Sequence, residues 1–321
     1  MQAESRYHPG ADQVALASTV YESFAPLLPL SRLHASYVED ERTWSSLEQM
    51  GIFGISVSED RGGSGLGAAE EALITLGLGR HLASPAVLAT IGATHASDAA
   101  GAIDLQGRKI AAAYRRGDRV IIVDDPGATV ALVREQGAAT LLEIEDASGS
   151  SIDDHLWLAH LRTITCAGQP LARFDAPRLL RLRLIDAAAL AGIAAATLDM
   201  AVAYAGTREQ FGRPIGAFQA VKHHCANMAI AARCACDQVS FAAVAIDEDR
   251  DDAALQVESA LFVAGSAALE NAGKNIQIHG GMGFSDEAHP HLFLKRAQLQ
   301  IRIAGGLDAA NSRLAGSSPG G

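Results

Sequence analysis

Apolar positions recur at helical spacing over residues 13–33 and again from Glu41 to Met50, where Trp44, Leu47 and Met50 share one face. The stretch GIFGISVSEDRGGSGLG, residues 51–67, then breaks the pattern with six glycines. Helical periodicity resumes over 68–82, and Ser84 with Pro85 is expected to end that helix, because proline disfavours helix at the preceding residue. Past Gly107 the runs RKIAAAY, DRVIIVDD, GATVALVRE and AATLLEIED are short, β-branched and separated by glycine and charged turns, which predicts a small β region over about 105–175. Beyond Pro177 the alanine-rich segments 179–204, 217–246 and 251–275, with a shorter one at 292–304, predict an antiparallel bundle. The closing GSSPGG reads as a flexible tail. The expected organisation is therefore a helical domain over 1–104, a reduced central β domain over 105–175 and a C-terminal four-helix bundle over 176–321.

Composition sharpens this mostly-α reading. Of 321 residues 49% are apolar but only 5% aromatic, a balance that suits closely packed, alanine-lined helices better than a sandwich or barrel. A formal charge of -11 repels phosphate backbones and anionic lipid surfaces, so neither nucleic acid nor a membrane is an expected partner. No basic-then-apolar leader and no run of about 18 consecutive apolar residues stands out, and the expected location is the cytoplasm. The cysteines Cys166, Cys225, Cys234 and Cys236 lack paired CxxC spacing and read as buried or half-buried thiols. The glycines of RGGSGLG lack the GK[ST] ending of a phosphate loop and read as a tight turn.

Candidate chemistry gathers in the last third. In TREQFGRPIGAFQAVKHH a helix runs into a glycine and proline turn, and a second helix starts near Ala217. Such a connection holds Arg208 and an exposed Phe211 at a bundle edge; a guanidinium there makes planar, charge-assisted hydrogen bonds to phosphate oxygens. Gln219 offers a donor and an acceptor. The second string, QIHGGMGF, follows a long helix, and Gly280 and Gly281 allow close backbone approach to a ligand near Gln277. Each feature alone also reads as a helix hairpin or a glycine C-cap.

Taken together and in this order, the two strings resemble the acyl-CoA dehydrogenase family. Its R-x-x-F-G-x-x-I-x-x-F-Q and Q-x-x-G-G-x-G segments hold the ADP and pyrophosphate half of FAD, bound largely by an adjacent subunit. The resemblance implies FAD-contacting roles for Arg208, Phe211, Gln219, Gln277, Gly280 and Gly281. GIFGISVSEDRGGSG and LGRHLASP extend it to the N-terminal region, so it covers nearly the whole chain and is weakest in the middle.

Two departures qualify what the resemblance implies. The family's T-E-P-x-x-G-S-D-like segment, which contacts flavin ring and substrate, has no counterpart; the nearest string is Asp124-Asp-Pro-Gly127. Dehydrogenation also needs a carboxylate to take the α proton, yet counting from Gly280 puts Ala304 where most members carry the glutamate. Leu182 occupies the position used by a minority. Asp186, Asp199, Glu258 and Glu270 read as solvated-face or helix-cap carboxylates. No catalytic residue is nominated. The groups that serve a neighbour's flavin are kept while those serving an own active site are missing, which implies the short subunit of an α2β2 acyl-CoA dehydrogenase. Its expected partners are a second dehydrogenase-like chain, an acyl-CoA and an electron-transfer flavoprotein. Two other readings stay open: a self-sufficient enzyme with a relocated base, and a non-catalytic protein that binds an acyl-CoA or a helical partner.

Overall fold

A computed structural model describes residues 7–124, 127–135, 137–144, 150–154, 158–165 and 170–316. Cys166, the middle of the string Asp124–Gly127 and the tail from Ser317 lie outside the described residues. The chain opens with helices α1 (Ala11–Leu27), α2 (Glu41–Gln49), α3 (Ala68–Arg80) and α4 (Pro85–Ala100). Strands β1 (Ile110–Arg116), β2 (Arg119–Asp124), β3 (Val130–Glu135), β4 (Ala138–Glu143), β5 (Ser150–Asp154), β6 (Ala159–Thr165) and β7 (Pro170–Phe174) follow. Helix α5 (Ala176–Thr207) leads through the short strands β8 (Glu209–Gln210) and β9 (Arg213–Pro214) into α6 (Gln219–Asp247), α7 (Ala253–His279), α8 (Pro290–Ile303) and α9 (Leu307–Gly316).

The helical expectations need three corrections. The first helix stops at Leu27, and Leu30–His34 form a separate 3-10 turn after Pro29, whose missing N–H cannot continue an α-helical ladder. Ser84 and Pro85 do not close the preceding helix, which already ends at Arg80: they open α4. The Ser84 hydroxyl accepts the Val87 N–H, and proline suits the first helical turn because its absent N–H would have no partner there. Helix α9 follows the expected fourth bundle helix. The glycine-rich stretch forms the tight turn read from its sequence, with Ser64 N–H donating to Gly54 O at 2.9 Å and Gly65 N–H to Val57 O at 2.8 Å.

Among the described residues the β region holds seven strands rather than the four legible runs. Their order is β5-β6-β2-β1-β3-β4-β7, with only β1 and β3 parallel. One face, carrying Ile110, Ala112, Leu132 and Leu141, packs on Leu179, Leu182, Leu299 and Ile303 of α5 and α8. The other face buries Ala111, Ala113, Ile122 and Val133 among residues of the sheet and its connecting segments. Both faces being apolar explains why these strands read as continuous apolar runs.

The bundle core is built mainly of alanines from α5, α6 and α7, joined by Leu292, Phe293 and Ala297 of α8. Small residues bring the α3 and α5 backbones into contact: a Cβ at Gly79 would sit 2.1 Å from Ala189 O, and one at Gly192 2.1 Å from Leu76 O. Helices α5 and α6 are long and apolar enough to cross a membrane by length and composition, but 67% of the α5 window is already buried within the protein.

Candidate functional site

Helix α5 ends where Arg208 leaves the helical region, at φ -74° and ψ 121°, its N–H still donating to Tyr204 O at 2.8 Å. Its carbonyl accepts the Ile215 N–H at 2.8 Å, which folds the chain back on itself. Between these points β8 and β9 pair through a two-residue turn with Phe211 at φ +54° and Gly212 at φ +75°. This is the mirror-type hairpin geometry, which is unfavourable for a bulky residue at its first position. Its effect is to leave the Phe211 ring 91% exposed, supported edge-on by Phe218 at 6.1 Å, with the Arg213 guanidinium 4.2 Å over the Phe218 ring.

Helix α7 extends through Gln277 to His279, so Gln277 lies in its last turn rather than in the loop beyond it. Gln277 is exposed and accepts a hydrogen bond from Lys274 Nζ at 3.2 Å. Gly280 follows at φ +62° and ψ -140°, a conformation for which glycine is suited, and Gly281 leaves open space around it. The rings of Tyr204 and His279 stack at 4.0 Å and tie the ends of α5 and α7 together, bringing both loops to one edge of the bundle.

Phe211 and Gln277 share an open depression of about 360 Å³ with Gln210, Ile215, Phe218 and His224. Arg208, Gln219, Gly280 and Gly281 are exposed on the flanking segments without lining it. Met282 and Phe284, 54% and 71% exposed, add apolar surface beside the glycines. Exposed guanidinium, amide and ring groups on strained glycine turns suit an anionic, partly aromatic ligand approached from outside the chain.

Ala304 lies elsewhere, just past α8, with its N–H bonded to Gln300 O at 2.9 Å. It borders a cavity of about 910 Å³ between the sheet and helices α5, α8 and α9. Among the lining residues Glu135 is the one carboxylate, and Arg115 Nε holds it at 2.7 Å. Leu182 is buried where α5 meets the sheet.

Two carboxylates expected on solvated faces are instead inside. Asp186 is bound by Arg134 at 2.8 Å and by Gln300 at 2.8 Å, and Glu258 by Arg183 at 2.5 Å and Arg313 at 2.8 Å. Burial pushes the Asp186 carboxyl above its ordinary range, against the pull of Arg134 and the Gln300 hydrogen bond. Asp199 keeps its surface role, 62% exposed and bridged to Arg80 at 2.6 Å, and Glu270 is exposed. The signal for the Asp186 pair was present in the sequence as Arg134 at the end of the apolar run VALVRE, where a half-buried strand keeps a charge only when it is paired. Among the described residues no group of three or more potential metal ligands converges.

Five histidines, His81, His95, His279, His289 and His291, sit below their ordinary value of 6.5, each chiefly through burial. The folded protein then resists protonation that the unfolded chain accepts, so stability is full above the ordinary value and falls as pH drops below it. Thermal melts should therefore show a steady Tm between pH 7 and 8 and a decline from about pH 6.5 to 5.5, with proton uptake on unfolding. A flat Tm across that interval would refute it.

Comparison with known proteins places these features in a family context. Residues 13–109 match the model of the acyl-CoA dehydrogenase N-terminal domain, and residues 173–316 that of the acyl-CoA dehydrogenase C-terminal domain. The acyl-CoA dehydrogenase FadE34 of Mycobacterium tuberculosis is 33% identical over 79% of this chain, which spans only 39% of FadE34. The acyl-CoA dehydrogenase IpdE2 of the same organism is 29% identical over 88% of each protein. The fold matches a chain of the Tcur3481-Tcur3483 steroid ACAD G363A variant with a TM-score of 0.79 at 23% identity, covering 95% and 96% of the two chains. It also matches a chain of the ChsE4-ChsE5 complex from M. tuberculosis with a TM-score of 0.76 at 22% identity, covering 98% and 100%.

Proposed function

The chain belongs to the acyl-CoA dehydrogenase family, FAD-binding oxidoreductases that act on CH–CH bonds, and from that premise we propose that it is the flavin-completing subunit of a heteromeric enzyme. The observation that carries this reading is the contrast between the two sites. The edge bearing Arg208, Phe211 and Gln277 is exposed and shares no lining residue with the cavity beside Ala304, the residue that stands in the glutamate's place. Both structural neighbours named above carry two-component names, which supports an assembly of two different chains.

In this reading the Arg208 guanidinium holds pyrophosphate oxygens, Phe211 covers an apolar edge of the cofactor, and Gln219 and Gln277 bond its polar groups. Gly280 and Gly281 let the backbone come close. FAD, when bound, supplies hydride acceptance, and the partner subunit supplies the base that takes the α proton. The substrate class is an acyl-CoA thioester, the electron acceptor an electron-transfer flavoprotein and the compartment the cytoplasm.

Arg208→Ala tests this assignment in the co-purified assembly. Losing charge-assisted hydrogen bonds of about 1.5–3 kcal/mol should weaken FAD retention about 10-fold to 150-fold. The check is flavin absorbance per protein after gel filtration, and an unchanged ratio would remove Arg208 from the site.

A further inference from the structure

A further cavity, of about 300 Å³, is walled by α2, the glycine turn that follows it, α4 and the segment 103–108 that leads into β1. It shares no lining residue with the cavity beside Ala304 or with the depression at Phe211. The turn closes on its neighbours because it lacks side chains: a Cβ at Gly63 would sit 2.2 Å from Val57 O, and one at Gly62, itself at φ +82°, 2.8 Å from Gln106 Nε2. Gln106 Nε2 donates to Arg61 O at 3.1 Å and ties the segment 103–108 to the turn. Asp98 of α4 ties the turn as well, accepting from Ser58 N–H and Ser58 Oγ and pairing with Arg61, each at 3.1 Å.

The interior is apolar and aromatic. Trp44 and Phe53 stack with ring centroids 4.6 Å apart, and Val57, Ile103 and Leu105 join them in the lining. The two threonines of the wall engage their hydroxyls with backbone: Thr94 Oγ1 donates to Phe53 O at 2.9 Å, and Thr90 Oγ1 accepts the Ile110 N–H at 3.0 Å. With Asp98 and Arg61 neutralising each other, the remaining charged lining residues are Glu48, Asp104 and Arg108, all exposed at the rim. Glu48 Oε1 lies 3.9 Å from where a Gly107 Cβ would stand, so its carboxylate reaches the segment that carries Arg108. Among the described residues neither Glu48 nor Arg108 is in an ion pair, and each is open to a ligand group of opposite charge.

We propose that this cavity binds a small zwitterion with an aromatic side chain, an aromatic amino acid in chemistry and size. The ring enters against Trp44 and Phe53, the carboxylate takes the Arg108 guanidinium, and the ammonium takes the Glu48 and Asp104 carboxylates. A volume of about 300 Å³ stands at the lower end of small-molecule sites, room for one ring and its head group rather than for a nucleotide. An aromatic ring gains from offset or edge contact with other rings beyond the area it buries. A purely anionic ligand would meet Glu48 and Asp104, and a purely cationic one Arg108, whereas a ligand with both charges pairs all three. The site needs neither a second chain nor a flavin, so its outcome is independent of the subunit reading.

The experiment titrates the isolated full chain with L-phenylalanine, phenethylamine and 3-phenylpropionate, by calorimetry and thermal shift at fixed ionic strength. The expected result is saturable binding of one L-phenylalanine per chain, with each singly charged analogue weaker by about fivefold or more, the scale of one solvent-exposed charge pair. Arg108→Ala should lower L-phenylalanine to the affinity of phenethylamine, and the double variant Glu48→Gln/Asp104→Asn should lower it to that of 3-phenylpropionate. Ile103→Trp, which fills the cavity from a half-buried position, should abolish binding of all three. Three results would overturn the proposal: no saturable binding of L-phenylalanine, an analogue that binds as tightly, or an L-phenylalanine affinity unchanged in the rim variants. Should circular dichroism melts show Ile103→Trp to be unfolded, the rim variants, at exposed positions, carry the test alone.

Discussion

Purified without a second chain, the protein should oxidise saturated acyl-CoA thioesters about 100-fold to 10,000-fold more slowly than when co-assembled with a dehydrogenase-like partner, the scale of a missing general base. The reason is local. Proton abstraction needs a carboxylate within hydrogen-bond reach of the substrate, and the position beside the cavity carries the Ala304 methyl. Glu135, the carboxylate at that wall, is tied to Arg115 at 2.7 Å, and Leu182 is buried in the core. Dye-coupled turnover across short, branched and steroid acyl-CoA thioesters, with flavin content measured in parallel, checks the expectation. A stoichiometric flavin content and partner-level turnover in the isolated chain would refute it. Ala304→Glu should not rescue the isolated chain, because surrounding guanidiniums would hold the new carboxylate ionised and weakly basic. Rescue by that one change would mean that only the base, and not the partner, was missing.

The sequence showed most of the bundle and almost none of the cavity. Helices α5, α6 and α7 were legible because their alanine-rich segments continue for many turns, and helix existence is the strongest single-chain signal. Helix α4 was missed because Ser84-Pro85 marks a boundary without saying on which side the helix lies, and 12 of its 16 residues are buried, which removes the polar face that periodicity needs. The later strands were hidden for a related reason: β6 and β7 carry arginines at positions where an apolar alternation was sought. At the site, Arg208, Phe211 and Gln277 were found as parts of contiguous strings. The stacking of Tyr204 on His279, which joins those strings in space, links distant positions and leaves no local pattern. The six arginines that line the cavity beside Ala304 come from five separate stretches of chain, so only the fold could assemble them.

That assembly also locates the largest single stability effect expected in the chain. Asp186 joins three layers at once, accepting from Arg134 on β3 and from Gln300 on α8 while sitting on α5. The carboxylate is 2% exposed and the Arg134 side chain 10%, so neither charge can recover water if the other is removed. Asp186→Ala should therefore lose about 3–5 kcal/mol, most of it the penalty of leaving a buried guanidinium unpaired. The double change Arg134→Met/Asp186→Leu removes both charges and keeps apolar volume, so it should return to within about 1–2 kcal/mol of the parent. Urea unfolding of the parent, both singles and the double closes the cycle. A single variant within 1 kcal/mol of the parent, or a double no better than Asp186→Ala, would show that the pair does not hold sheet to bundle.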